Sequence, residues 1–182
     1  MRTVAILCTA VKTAYKSLEG VEVYDKRRDA RTFPGGMPIV AHPPCRAWVR
    51  PIGSPAKPDP GERELGVWCC EQLRACGGVL EQPVNSELFR AGGLPHPGES
   101  DRDGLWTEQV WQAWWGYGMR KQTWLCFAGI ERRDIVFPFS LHPPNQDRAM
   151  WDRFSTRKRA MTVPSLAQWL VAAARNSTTL PV

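Results

Sequence analysis

The chain has 182 residues, a formal charge of +6 at pH 7 and an apolar fraction of 43%, enough for one domain with a real core. No window approaches the roughly 18 unbroken apolar residues of a membrane span, and the apolar run after Met1 is too short for a signal peptide. These features exclude a membrane-spanning or secreted class and predict a cytosolic protein with no membrane partner.

The basic balance favours a polyanionic partner. Nine tryptophans are many for this length. Interleaved with arginine they offer stacking surfaces for bases, although core and rim packing is their commoner use. The six cysteines lie mostly in apolar segments with no disulfide framework in their spacing, and Cys69-Cys70 with Cys76 lacks paired zinc-ligand spacing.

In chain order, Thr3 to Cys8 reads as a first strand, Val11 to Leu18 as a short helix and Val21 to Tyr24 as a second strand. Lys26 to Arg31 is a charge run. It reads either as a solvated turn or as phosphate contact through Arg27, Arg28 or Arg31. Ile39-Val40-Ala41 is a buried strand bounded by Pro38 and Pro43, and Pro43-Pro44 then forbids both ladder and helix. The chain leaves the sheet there as a stiff loop bearing Cys45, with Arg46 and Trp48 beside it. A thiol so placed reads as a nucleophile, or more plainly as a half-buried cysteine.

Residues 51 to 60, with four prolines, form a loop. Glu62 to Cys76 is helical, with Leu65, Trp68, Cys69, Gln72, Leu73 and Cys76 at three- and four-residue steps. Gly77-Gly78 ends the helix and Val79-Leu80 begins another buried strand, closing a βαβ unit whose strands should be parallel neighbours. Glu81 then falls at the sheet edge that carries Cys45. Asn85 to Phe89 reads as a helical turn, residues 92 to 104 as a loop, and Thr107 to Trp115 as a helix capped by Thr107. Arg120 to Ala128 is a strand, Ile135 to Pro144 irregular or an edge strand, and a last helix starts near Pro164 with Leu166, Trp169, Leu170 and Ala173 on its apolar face.

Together these landmarks resemble the catalytic half of DNA cytosine-5-methyltransferases. Ala41-His-Pro-Pro-Cys45 resembles that family's nucleophile loop, and Val79-Leu-Glu-Gln-Pro83 its glutamate segment. Tyr117 to Gly129 resembles its tyrosine-glycine turn and basic strand, and Ala160 to Ala167 its closing helix. In style the chain also resembles small bacteriophage-encoded proteins. The resemblance implies an α/β fold with a Rossmann-like, methyltransferase-type sheet and helices on both faces, reduced in size. It implies Cys45 as nucleophile, Glu81 against the pyrimidine ring, and Arg120 and Lys121 as the basic pair. It also implies S-adenosylmethionine as donor.

The chain departs from the pattern in places. Ala5 to Lys12 has no glycine to wrap that cofactor, which leaves room for a folate-borne one-carbon unit or another donor. The stretch from Ile130 to Arg159 is too short for a sizeable target-recognition domain. His42 stands where the family has glycine, and Gln82 where it has asparagine.

The chemistry expected of these residues is thiolate addition to the 6-carbon of cytosine or uracil, which makes the 5-carbon nucleophilic. Arg46 would favour the Cys45 thiolate. Glu81, its pKa raised by burial, would hold a proton on the 3-nitrogen edge. Arg120 or Lys121 would bind the 2-oxo group or a phosphate, and His42 would act as a base or as a loop anchor. The substrate would be single-stranded DNA, a base flipped from duplex DNA, or a free pyrimidine nucleotide. Arg46, Trp48, Arg27, Arg28 and Arg31 are the candidate nucleic-acid contacts. Two other readings stand beside this one: a non-catalytic nucleic-acid-binding protein on a degenerate methyltransferase scaffold, and a cysteine enzyme acting on small metabolites.

Overall fold

The structure is a computed structural model that describes residues 1–49, 57–118, 121–138 and 161–178. Six strands form one mixed sheet: β1 (Val4–Thr9), β2 (Val21–Asp25), β3 (Ile39–Ala41), β4 (Gly78–Pro83), β5 (Trp106–Trp111) and β6 (Gln122–Ala128). Their order is β2-β1-β3-β4-β6-β5. The four strands from β2 to β4 run parallel, and β6 is antiparallel to both of its neighbours.

Parallel strands are covered on both faces, which is why β1, β3 and the start of β4 are apolar without alternation. Their side chains divide between two cores. Ala5, Leu7, Ile39, Ala41 and Leu80 pack with Cys69, Leu73 and Cys76 of helix α1 (Glu62–Cys76). Val4, Ile6, Val40 and Val79 pack on the opposite face with Leu166, Leu170 and Ala174 of the last helix, Pro164–Arg175. Among the described residues one further α-helix, the one-turn α2 (Leu88–Ala91), lies between these two, and the last is labelled α3. Among the described residues no helix is long and apolar enough to cross a membrane.

The βαβ unit forms as the sequence predicts: β3 and β4 are parallel neighbours, with Val40 opposite Val79 and Ala41 opposite Leu80. Gly78 makes that pairing possible. Its φ is +122°, and a Cβ there would sit 2.0 Å from the carbonyl oxygen of Ile39.

The expected helix over Thr107 to Trp115 is not formed. Residues 106 to 111 are the edge strand β5, and only residues 112 to 115 make a short 3₁₀ turn. Pairing with β6 overrides the helical spacing. Trp106 stacks on Phe127 with ring centroids 4.1 Å apart, and Thr107 lies opposite Cys126 instead of capping a helix. Val11 to Leu18 likewise shortens to a single 3₁₀ turn, Ala14–Ser17. Of Ile135 to Pro144, the described part contains no strand and the remainder lies outside the described residues.

Candidate active site

Cys45 opens a single 3₁₀ turn, Cys45–Ala47, immediately after the Pro43-Pro44 exit from β3. Three contacts fix that loop. The His42 N–H donates to the Leu7 carbonyl of β1 at 3.0 Å. The Gln82 side chain donates to the Pro43 carbonyl at 2.6 Å and is itself held by Ser86 at 3.0 Å. Arg46 donates to Glu62, the first residue of α1, at 2.7 Å and also pairs with Asp59. Cys45 is thus an exposed residue on a tethered loop.

Glu81 lies one residue past Leu80 on β4, at the same sheet edge, and is buried. Its Oε2 accepts from His42 Nδ1 at 3.1 Å and its Oε1 accepts from Gln112 Nε2 at 3.0 Å. Gln112 also donates to Thr123 at 2.9 Å. The Tyr15 hydroxyl, fully buried, meets His42 Nε2 at 2.8 Å. A continuous chain therefore runs Tyr15, His42, Glu81, Gln112, Thr123.

Burial pushes the Glu81 carboxyl up. The charge of Lys121 and the hydrogen bond and charge of His42, aided by Thr123, outweigh it, and the group drops to about 2. The expectation of a raised Glu81 pKa is corrected: in the free protein it is a carboxylate, because burial here comes with a cation and donors. A carboxylate only accepts, so His42 Nδ1 carries the proton and Nε2 faces Tyr15. Both ring nitrogens are engaged. Of the two roles open to His42, the geometry is that of an anchor.

Desolvation, then the charge of Glu81, lifts the Cys45 thiol above its ordinary value, while Lys121 opposes them. Arg46, the cation next in sequence, is turned to Glu62 and Asp59. Lys121 lies at the start of β6 with Nζ 5.8 Å from the Tyr117 ring. Arg120 lies outside the described residues.

The candidate nucleic-acid contacts scatter. Trp48 is 4% exposed, its indole packed on α1 over Gly66 and under Arg63, so no base can stack on it. Arg28 pairs with Glu22 and caps the Tyr24 ring, and Arg31 holds the Gly61 carbonyl at 2.8 Å. Arg27 is exposed and its side chain makes no ion pair among the described residues. Trp106, Trp115 and Trp124 are also buried, so much of the tryptophan excess is core.

The end of β2 is where an adenosyl or dinucleotide cofactor's ribose would find an acidic acceptor in such sheets. Asp25 there already accepts from Lys16 at 2.7 Å and from the backbone of Arg27 and Arg28 at 2.7 and 3.3 Å. It is 6% exposed, and Glu22 is paired with Arg28. Both carboxylates at this end are therefore engaged within the chain itself. Among the described residues no three His, Cys, Asp or Glu side chains group to hold a metal ion.

Tyr15, Gln112 and Thr123 were not legible as site residues. Thr123 merges with the polar start of its strand, after Lys121 and Gln122, and Gln112 was hidden by the helix assignment. Compared with protein-family models, curated proteins and solved structures, the chain matches none.

Proposed function

We propose that this chain is a pyrimidine-modifying enzyme of the cytosine-5-methyltransferase type, acting on DNA through a covalent adduct on Cys45. One observation carries the reading. An exposed cysteine on a tethered loop and a buried carboxylate sit past the ends of neighbouring parallel strands, and His42, three residues before Cys45, is hydrogen-bonded to Glu81 at 3.1 Å. Supporting it, β1 connects outward to β2 on one side and β3 on the other, and open α/β sheets bind ligands at the carboxyl edge where strand order reverses. A Rossmann-like sheet is the fold this proposal assumes.

In this reading the Cys45 thiol gives its proton to solvent and the thiolate adds to the 6-carbon of cytosine, breaking the double bond between the 5- and 6-carbons as ring electrons move toward the 3-nitrogen. The increasingly basic 3-nitrogen takes up one proton from solvent, matching the one the thiol lost, while the Glu81 carboxylate accepts from the 4-amino group and stabilises the protonated edge. Lys121 favours both anions and faces the 2-oxo side. His42, Tyr15 and Gln112 hold Glu81 in place. Since both acidic residues at the β2 end are engaged within the chain, the proposal covers the adduct-forming half of the reaction. The electrophile that the 5-carbon attacks, a folate-borne unit or another donor, is supplied by a different surface.

The test is an oligonucleotide carrying 5-azacytosine, whose electron-poor ring takes a thiol at the 6-carbon without a donor. Intact-mass analysis should show a one-to-one adduct that Cys45→Ser abolishes. The engaged Asp25 favours a second reading, a non-catalytic DNA-binding protein on the same scaffold. Salt-sensitive DNA retention unchanged in Cys45→Ser, with no adduct in either protein, would establish that reading instead.

A further inference from the structure

The last residues of β1 do something a regular strand does not. The pairing with β2 shifts register between Leu7 and Thr9, and the residue between them, Cys8, has φ +62°. A non-glycine residue in the left-handed region carries strain, and a bulge re-aims a side chain. Here it brings Cys8 to the side of the sheet that Leu7 already faces, against the α1 core. Two successive strand residues thus share one face. The Cys8 sulfur lies 3.6 Å from that of Cys69, which is fully buried in the middle of α1. Cys8 itself is a half-buried residue, whereas Cys69 is fully buried. Simple packing of a small apolar thiol needs neither the register shift nor the positive φ.

We propose that Cys8 and Cys69 are a redox-active pair that a peroxide converts to a disulfide between β1 and α1. The partly exposed Cys8 thiolate attacks the peroxide and breaks the O–O bond. This gives a sulfenic acid at Cys8 and one hydroxide, which takes a proton to become water. Cys69 then attacks the Cys8 sulfur, the S–O bond breaks, and the second water leaves with the Cys69 proton. Two thiols lose two electrons and one hydrogen peroxide becomes two waters. From 3.6 Å, the sulfurs need only close by about 1.5 Å to reach bonding distance. The bond falls one residue beyond Leu7, whose carbonyl holds the His42 N–H, so oxidation stiffens the edge from which the Cys45 loop departs.

The test uses the full chain, reduced and then exposed to hydrogen peroxide, with alkylation in denaturant and peptide mapping. The expected result is loss of about 2 Da and of two alkylatable thiols, with a Cys8–Cys69 linked peptide that dithiothreitol reverses. Cys8→Ser, at a partly exposed position, should keep the wild-type circular dichroism and abolish the link, whereas Cys45→Ser should keep it. Oxidation confined to Cys45, a link between any other pair, or the same mass loss in Cys8→Ser would overturn the proposal. None of these readouts depends on DNA or on the adduct, so the two proposals fail separately.

Discussion

His42 and Glu81 join the ends of two neighbouring parallel strands through a 3.1 Å hydrogen bond, and the next residues along, Pro43 and Gln82, join them again at 2.6 Å. Alternation along β4 sends Glu81 and Gln82 to opposite faces, so the two bonds clasp the Pro-Pro-Cys loop from both sides of the sheet. Removing His42 leaves one oxygen of a buried carboxylate without its donor, while Gln112 and the charge of Lys121 remain. His42→Ala should therefore cost about 1–3 kcal/mol, read as a lowered urea midpoint at constant slope. His42→Asn, which keeps a donor near Oε2, should recover part of the loss. Equal losses in both variants would show that ring packing against Tyr15, not the hydrogen bond, is what His42 contributes.

The clasp also has a pH signature. Folding lowers the Glu81 carboxyl from its ordinary value to about 2. Its contribution is therefore fully present above the unfolded value, near 4.5, and is lost as pH falls through about 2. Asp25 is lowered too and acts in the same acid range, so the difference between two proteins isolates Glu81. Between pH 5 and 2, Glu81→Gln should lose less stability than wild type. Parallel curves would mean that Glu81 is not held as an anion.

Cys45 should react as a thiol with a raised pKa. Desolvation and the Glu81 charge both push it up, and Lys121 pulls it down. The pH-rate profile for iodoacetamide labelling of Cys45, located by peptide mapping, should have its midpoint above that of an ordinary thiol. Lys121→Met should move it higher and Glu81→Gln lower. A midpoint indifferent to both changes would separate the thiol from its supposed partners.

Trp48 tests where the tryptophans belong. Its indole Nε1 is buried with no hydrogen-bond partner among the described residues, and a Cβ on Gly66 would lie 2.4 Å from it. Trp48→Phe removes that unpartnered donor while keeping a ring, so stability should change by less than about 1.5 kcal/mol. Retention on DNA should not change. A several-fold loss of DNA affinity in a folded Trp48→Phe protein would put the ring back at the surface.

The central βαβ unit was legible because its signals are local: prolines bound β3, three- and four-residue spacing marks α1, and a glycine pair stops it. From that unit alone Cys45 and Glu81 fall on one edge. The parts that were not legible depend on distant partners. The segment from Trp106 has helical spacing, and only the antiparallel β6 makes it a strand. Glu81 reads as a buried acid whose pKa should rise; the opposing Lys121 arrives from β6, forty residues on. Arg46 reads as the cation beside the thiol, but α1 begins with Glu62, which takes it.

The pairing of β3 with β4 underlies the whole site, and it rests on Gly78. A methyl group there would meet the Ile39 carbonyl oxygen at 2.0 Å and the Ile39 nitrogen at 2.7 Å, both backbone atoms that cannot step aside. Gly78→Ala should therefore cost more than about 4 kcal/mol, beyond the usual range of single substitutions. Gly36→Ala is the control: its φ is +79°, but a Cβ there has open space, so only the backbone term of about 1–2 kcal/mol applies. If Gly78→Ala folds at all, β3 must shift against β4, and that moves the Cys45 loop relative to Glu81. Its labelling profile should then lose sensitivity to Glu81→Gln, whereas that of Gly36→Ala should keep it. Equal stability of the two variants would mean that the strands can separate at this point without disturbing the edge they share.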